Sequence, residues 1–236
     1  MWLPFLRFLT LTALLSKAVL ATLDLGVALD VNEKFRLIKS YSSVVILHTP
    51  ATTDAISDCQ LVWMAKTAFL EAVAAYLATG ADAELAPGAM VLLAPPASKK
   101  IYIASSIRFQ TGASLYKEKP VKSFLDECTH RTGGRCGEFN VLEAYYEDNP
   151  DCNPAGSRIV AWVRPSDTKD LKYGINAPPC SGEDEVVGCS AFTSKFGLVA
   201  VSKVEPSAEP TDWVFTSCNS RNFVEMRDTP SPQEQS

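Results

Sequence analysis

Histidine is nearly missing from this chain, with His48 and His130 the only two among 236 residues. That scarcity rules out a histidine-rich metal cage. It also leaves little material for a Ser-His-Asp or Cys-His hydrolase, and no Gly-x-Ser-x-Gly elbow accompanies either residue. His48, in VVILHTP, reads as a strand-end residue with a local hydrogen bond. His130 lies six residues before Cys136 and reads as a surface loop residue, with a substrate contact or a substitute metal ligand as the lesser alternative. Basic residues are also in deficit, 22 against 27 acidic, for a net charge of −5. Proteins that track a phosphate backbone carry clustered positive surface, so this balance argues against a polymeric nucleic-acid substrate. The one basic run, Lys117 to Lys122 (KEKPVK), contains Glu118 and reads as a solvated loop. There is no Asn-x-Ser/Thr sequon and no internal repeat.

Long apolar runs are confined to the start. Arg7, the apolar stretch Phe8 to Leu15 and the small residues Ala18 and Ala21 read as a signal peptide, residues 1–21, cleaved after Ala21. The stretch is short for a membrane span, which needs about 20 apolar residues, and no later segment is expected to cross a bilayer. The mature chain is therefore expected to be secreted. Its length fits one elaborated domain, residues 55–204, with an N-terminal extension 22–54 and a C-terminal extension and Pro-, Ser- and Glu-rich tail 205–236.

All seven cysteines follow Ala21. In an exported protein their default role is a disulfide framework. Seven is odd, so at least one has another job. If three bind a metal, Cys59, Cys128, Cys152 and Cys218 can form two bridges; three bridges and one free thiol close the count equally well.

Periodicity outlines the elements. Ala55 to Thr79 has Leu61, Met64, Ala65, Ala68 and Ala72 at helical spacing and Gly80 as a stop, which predicts a long, largely buried helix. Ala89 to Ala94 and Lys100 to Phe109 flank a Pro95-Pro96 turn and predict a hairpin. A short helix is possible over Val121 to Cys128. From Cys136 to Glu147, Phe139, Leu142 and Tyr146 share one helical face, and Asn149-Pro150 ends the run. Arg158 to Val163 and Leu198 to Val204 predict strands, and Asp212 to Cys218 either a strand or a disulfide-tied extension. The order predicts an α/β fold, a mixed sheet covered by helices. Tyr145, Tyr146 and Trp162 could stack on a base, but core packing is the favoured role.

Two segments carry chemistry. Cys136-Gly137-Glu138 sets a metal-ligating thiolate and a carboxylate two residues apart at a helix start. Pro179-Cys180 puts a thiol after a proline at a second candidate helix start, and Cys189 follows. Three ligands leave a fourth metal position for water, and a nearby unligated carboxylate can move protons.

This pattern resembles the cytidine deaminase superfamily, whose zinc signature is His/Cys-x-Glu followed by Pro-Cys-x-x-Cys. GGRCGEFNVLEAYYEDNP is similar to the family's zinc-helix segment, RIVAWV falls where the family has the strand between its two zinc helices, and PPC follows. The resemblance implies a three-layer cytidine deaminase-like fold and hydrolytic deamination of a nucleobase, nucleoside or related heterocycle, in a secreted, toxin-like branch. It implies Zn2+ held by Cys136, Cys180 and Cys189, Glu138 as proton shuttle, and Gly137 and Pro179 beside the substrate, a small nucleobase-type molecule or a nucleic acid. Two departures stand out. Eight residues, SGEDEVVG, separate Cys180 from Cys189 where the family has two. The strand IYIASSIRF also lacks the Asn-x-Glu that holds ribose in free-nucleoside deaminases. A second reading is a catalytically inactive, disulfide-stabilised deaminase-like effector or binding protein.

Overall fold

The computed structural model describes residues 25–31, 39–48, 51–80, 86–107, 116–117, 119–207 and the backbone of 215–218. The signal peptide, the tail from Asp228 and the strand end at 108–109 lie outside these residues. A hairpin forms the centre of the sheet. Strands β3 (Ala89–Ala94) and β4 (Lys100–Ser105) pair antiparallel with Leu92 opposite Ile103. Outside β3 lies β5 (Arg158–Val163), antiparallel. Its second half pairs with β6 (Ile175–Ala177) and its first half, in parallel, with β7 (Val199–Val201). Outside β4 lies β2 (Lys39–Leu47), flanked by β1 (Ala28–Val31) and β8 (Phe215–Cys218). The result is a mixed α/β fold around a largely antiparallel sheet, with four α-helices among the described residues: α1 (Asp58–Ala78), α2 (Lys119–Glu127), α3 (Gly137–Asp148) and α4 (Cys189–Lys195).

Strand alternation explains why both faces of the sheet are dry. Met90, Leu92, Ile101, Ile103, Val160 and Trp162 point to one side and meet Leu61, Ala65, Phe69 and Val73 of α1. Val91, Leu93, Tyr102, Ala104, Ile159 and Ala161 point to the other and meet Phe124 of α2, Phe139 and Leu142 of α3, and Phe192 of α4. Central strands buried on both faces read as continuous apolar runs, as AMVLLA and RIVAWV do. Tyr145, Tyr146 and Trp162 are core residues, as expected.

Several expectations shift. Residues 22–54 are no appendage: they supply β1 and β2, and β2 is hydrogen-bonded along β4. Residues 119–122 open α2 instead of forming a loop, because Val121 is fully buried and anchors the turn. By length and composition α1 is long enough and apolar enough to cross a membrane, contrary to expectation; half of that window is buried against the sheet. Cys59, Cys128 and Cys152 are free thiols, so the two bridges expected of them with Cys218 do not form. Cys59 stands on α1 beyond one face of the sheet, while Cys128 packs with the cluster on the other face and turns its thiol onto the Phe124 carbonyl, 3.1 Å away. Cys218 contributes backbone pairing to Val44.

Candidate metal centre

The site forms where α3 and α4 begin, on the same side of the sheet. Helix α3 starts immediately after Cys136, whose extended backbone makes it the N-cap, so Gly137 and Glu138 occupy the first turn. That turn lies hard against the hairpin. A Cβ on Gly137 would sit 2.6 Å from Val91 Cγ2 and 3.2 Å from the Ala104 carbonyl, so only glycine permits the approach. Glu138 is buried, with 8% of its surface exposed. Burial pushes its carboxyl up to about 7, partly opposed by hydrogen bonds from its own backbone N–H and from Cys189.

Helix α4 starts at Cys189 and not, as expected, at Cys180, which stands in the preceding loop. The eight-residue insertion folds back on itself. Glu183 and Val186 exchange two backbone hydrogen bonds of 3.0 and 2.9 Å, closing the loop. At its base, a Cβ on Gly188 would lie 2.4 Å from the Cys180 carbonyl oxygen, and one on Gly182 would lie 2.2 Å from that of Val186. With both glycines in contact, the Cys189 N–H donates to Cys180 Sγ at 3.3 Å. The two cysteines are therefore neighbours despite their separation in sequence. Gly188→Val would force the loop's arms apart by about 1 Å. Metal affinity is expected to fall about 10–100-fold, the effect typical of losing a supporting contact around a metal site, with helical content unchanged; a competition titration against a chelating dye measures it.

The same loop brings in a residue expected at the surface. Val187 pairs with the segment around His130, its N–H donating to the Thr129 carbonyl at 2.9 Å and its own carbonyl accepting from Arg131 N–H at 2.9 Å. His130 is thereby buried, 7% exposed, with its ring edge-on to Phe139 at 4.7 Å. Its Nε2 lies 3.7 Å from Cys189 Sγ. Its Nδ1 is 3.3 Å from the Thr132 N–H and 3.2 Å from the Thr132 hydroxyl, which also contacts Cys136 Sγ at 3.0 Å. The ligand atoms of His130, Cys136 and Cys189 all lie within 4.8 Å of one another and could hold a metal ion. Ligands at about 2.1 and 2.3 Å from a tetrahedral metal are about 3.6 Å apart, close to the His130–Cys189 separation.

Cys180 joins the group electrostatically. Its thiol is pulled well below the usual range, first by the Cys136 thiol and then by that of Cys189; those two are pushed up in turn. One thiolate thus accepts from two thiols, since three adjacent thiolates, one of them fully buried, repel without a cation between them. A divalent ion would displace the two shared protons. Burial also lowers the His130 pKa, favouring the neutral imidazole that ligates metals.

Beside these groups opens a cavity of about 590 Å³, within the range of small-molecule sites. Cys136, Gly137, Glu138, Cys180 and Pro178 line it. Of the residues singled out in the sequence, Cys136, Gly137, Glu138, Cys180 and Cys189 come together; Pro179 sits one residue outside the lining, with Pro178 in its place. His130 and the cavity's arginines were missed, and the one sequence signal for His130 was its position six residues before Cys136. No family model, no curated protein and no solved structure matches this chain.

Proposed function

We propose that this chain is a secreted zinc-dependent hydrolytic deaminase, built on a three-layer cytidine deaminase-like fold, acting on an amino group of a nucleobase, nucleoside or related heterocycle. The observation that carries this reading is that Cys136, Cys180 and a buried carboxyl, Glu138, share the wall of one small-molecule cavity, with the buried Cys189 thiol adjoining them. Soft thiolate donors in a compact set suit zinc. The element order supports the fold: the hairpin, α3, β5 and α4 succeed one another along the chain, with α2 and β6 interposed, and Cys136 and Cys189 stand at the starts of α3 and α4.

Zinc held there would supply the Lewis acidity that makes water a nucleophile near neutral pH. The remaining work falls to the chain. Glu138 takes the proton that the attacking water gives up and delivers it to the departing amine, and a carboxyl near neutrality suits both directions of transfer. Gly137 lines the same cavity beside the heterocycle, and its lack of a side chain is what seats the first turn of α3 against the hairpin there.

His130 favours a second reading. With Nε2 3.7 Å from Cys189 Sγ, it could complete a closed Cys3His site, which stabilises the fold and leaves no position for water. This is the form an inactive, deaminase-like effector would take. The purified mature protein separates the readings by metal analysis and by ammonia release from a panel of amino-bearing bases and nucleosides. Stoichiometric zinc with ammonia release supports the enzyme; zinc-free protein with Cys136, Cys180 or Cys189 in disulfides overturns it. His130→Ala should keep zinc and activity in the open site, and should lower zinc affinity at least about 10-fold in the closed one.

A further inference from the structure

Four arginines have described side chains, Arg131, Arg135, Arg158 and Arg164, and three of them line the cavity beside Glu138. Arg158 is occupied elsewhere, holding the Ile56 carbonyl at 2.7 Å and Asp58 at 2.9 Å at the start of α1. Among the described residues no lysine lines the cavity, and the one carboxyl there is Glu138, which receives a hydrogen bond from Cys189. In a chain of net charge −5, such a concentration is not a by-product of composition.

These guanidiniums are also weakly engaged. Arg164, half-buried one residue beyond β5, makes no side-chain hydrogen bond or ion pair among the described residues; its backbone N–H is fixed to the Gly88 carbonyl at 2.9 Å. Arg135 is held through Nε to the Thr132 carbonyl at 2.8 Å, which leaves its two terminal nitrogens available. Arg131 has only a long contact with exposed Glu183, 3.8 Å, and a 3.4 Å bond to the Ser181 carbonyl. Like charges gathered around one concavity destabilise it unless an anion enters, and the planar guanidinium fork matches a phosphate or carboxylate with two parallel hydrogen bonds. Lysine would supply charge without that geometry, and arginine alone is used here.

We propose that the heterocycle acted on at Glu138 carries a phosphate monoester, as in a nucleoside 5′-monophosphate, held by Arg131, Arg135 and Arg164. This rests on the deaminase reading for the heterocycle, while the anion site stands on the arginines alone. It also accounts for the strand IYIASSIRF, which lacks an Asn-x-Glu for ribose: the anchoring contact moves from the sugar to the phosphate. The overall negative charge disfavours a polynucleotide and leaves a single mononucleotide, whose one phosphate group three arginines can hold.

The test measures binding, without turnover, by calorimetry on the zinc-loaded mature protein. Probes are cytidine and adenosine, their 5′-monophosphates, and a single-stranded oligonucleotide. At least one monophosphate should bind about 10–100-fold tighter than its nucleoside. Arg164→Gln should erase most of that difference and leave nucleoside binding and Tm unchanged; Arg135→Gln serves as the second variant. Equal binding of nucleoside and monophosphate, absence of monophosphate binding, or equal weakening of both ligands by the arginine variants would each overturn the proposal. So would an oligonucleotide that binds tighter than every monophosphate with a steep salt dependence. Tight monophosphate binding without ammonia release would retain the anion site and reject the deaminase reading, so the two failures are distinguishable.

Discussion

Glu138→Gln should lower the ammonia-releasing rate by at least about 10²-fold while zinc stoichiometry stays at the wild-type value. Glutamine has the shape of glutamate and keeps a carbonyl acceptor for the Glu138 backbone N–H and the Cys189 thiol, so α3 should start as before. What it loses, on the proposed deaminase reading, is the capacity to take a proton from water and return it to the leaving amine. Since burial already disfavours the charged carboxylate, removing the charge should not lower Tm. The effect should fall on kcat with little change in KM, because the lost interaction belongs to proton transfer and not to ground-state binding. Steady-state ammonia release and metal analysis on the same preparation check both halves. An unchanged rate would remove Glu138 from the mechanism.

Cys189→Ser should weaken zinc binding by more than the 10–100-fold typical of an outer contact, and abolish activity with it. Cys189 is fully buried at the first position of α4, and its sulfur meets both His130 and the other two thiols. Serine replaces a soft donor with a poor one and leaves a hydroxyl in an apolar cluster, at a further cost of about 1–3 kcal/mol. Cys59→Ser is the control. That thiol stands on α1, on the other side of the sheet, and its loss should leave zinc affinity unchanged. A zinc-competition titration reads both variants. Equal affinities would take Cys189 out of the ligand set.

Much of the fold was legible because it rests on local periodicity. The 3.6-residue spacing of Leu61, Ala65, Ala68 and Ala72 marks α1, and Gly80 and Asn149-Pro150 stop helices where they are expected to. The hairpin was readable from two apolar runs around Pro95-Pro96. β1 and β2 were missed as parts of the sheet because what recruits them is pairing along β4, far away in sequence, and not a local pattern.

At the site, the same division holds. Cys136 and Glu138 were legible together because a helix start fixes residues two apart in one place, whatever surrounds it. Cys189 is expected as a ligand despite the eight-residue gap, and His130 is expected at the surface. The loop between the cysteines explains why the first stands in the metal-capable group and the second does not stay exposed. The loop SGEDEVVG closes on itself through Gly182 and Gly188 and then pairs Val187 with the His130 segment, which buries the histidine against Cys189.

By itself, then, the sequence determined α1, α3, the central hairpin and the Cys136–Glu138 pair, each specified by neighbours within a turn or two of the chain. Only the tertiary structure decided that His130 and Cys189 meet Cys136, with Cys180 beside Cys189, that Cys59, Cys128 and Cys152 stay unbridged, and that three arginines face one cavity in an acidic protein. Those outcomes depend on which segments the sheet and its covering helices bring within a few ångströms, and spacing along the chain does not encode that distance.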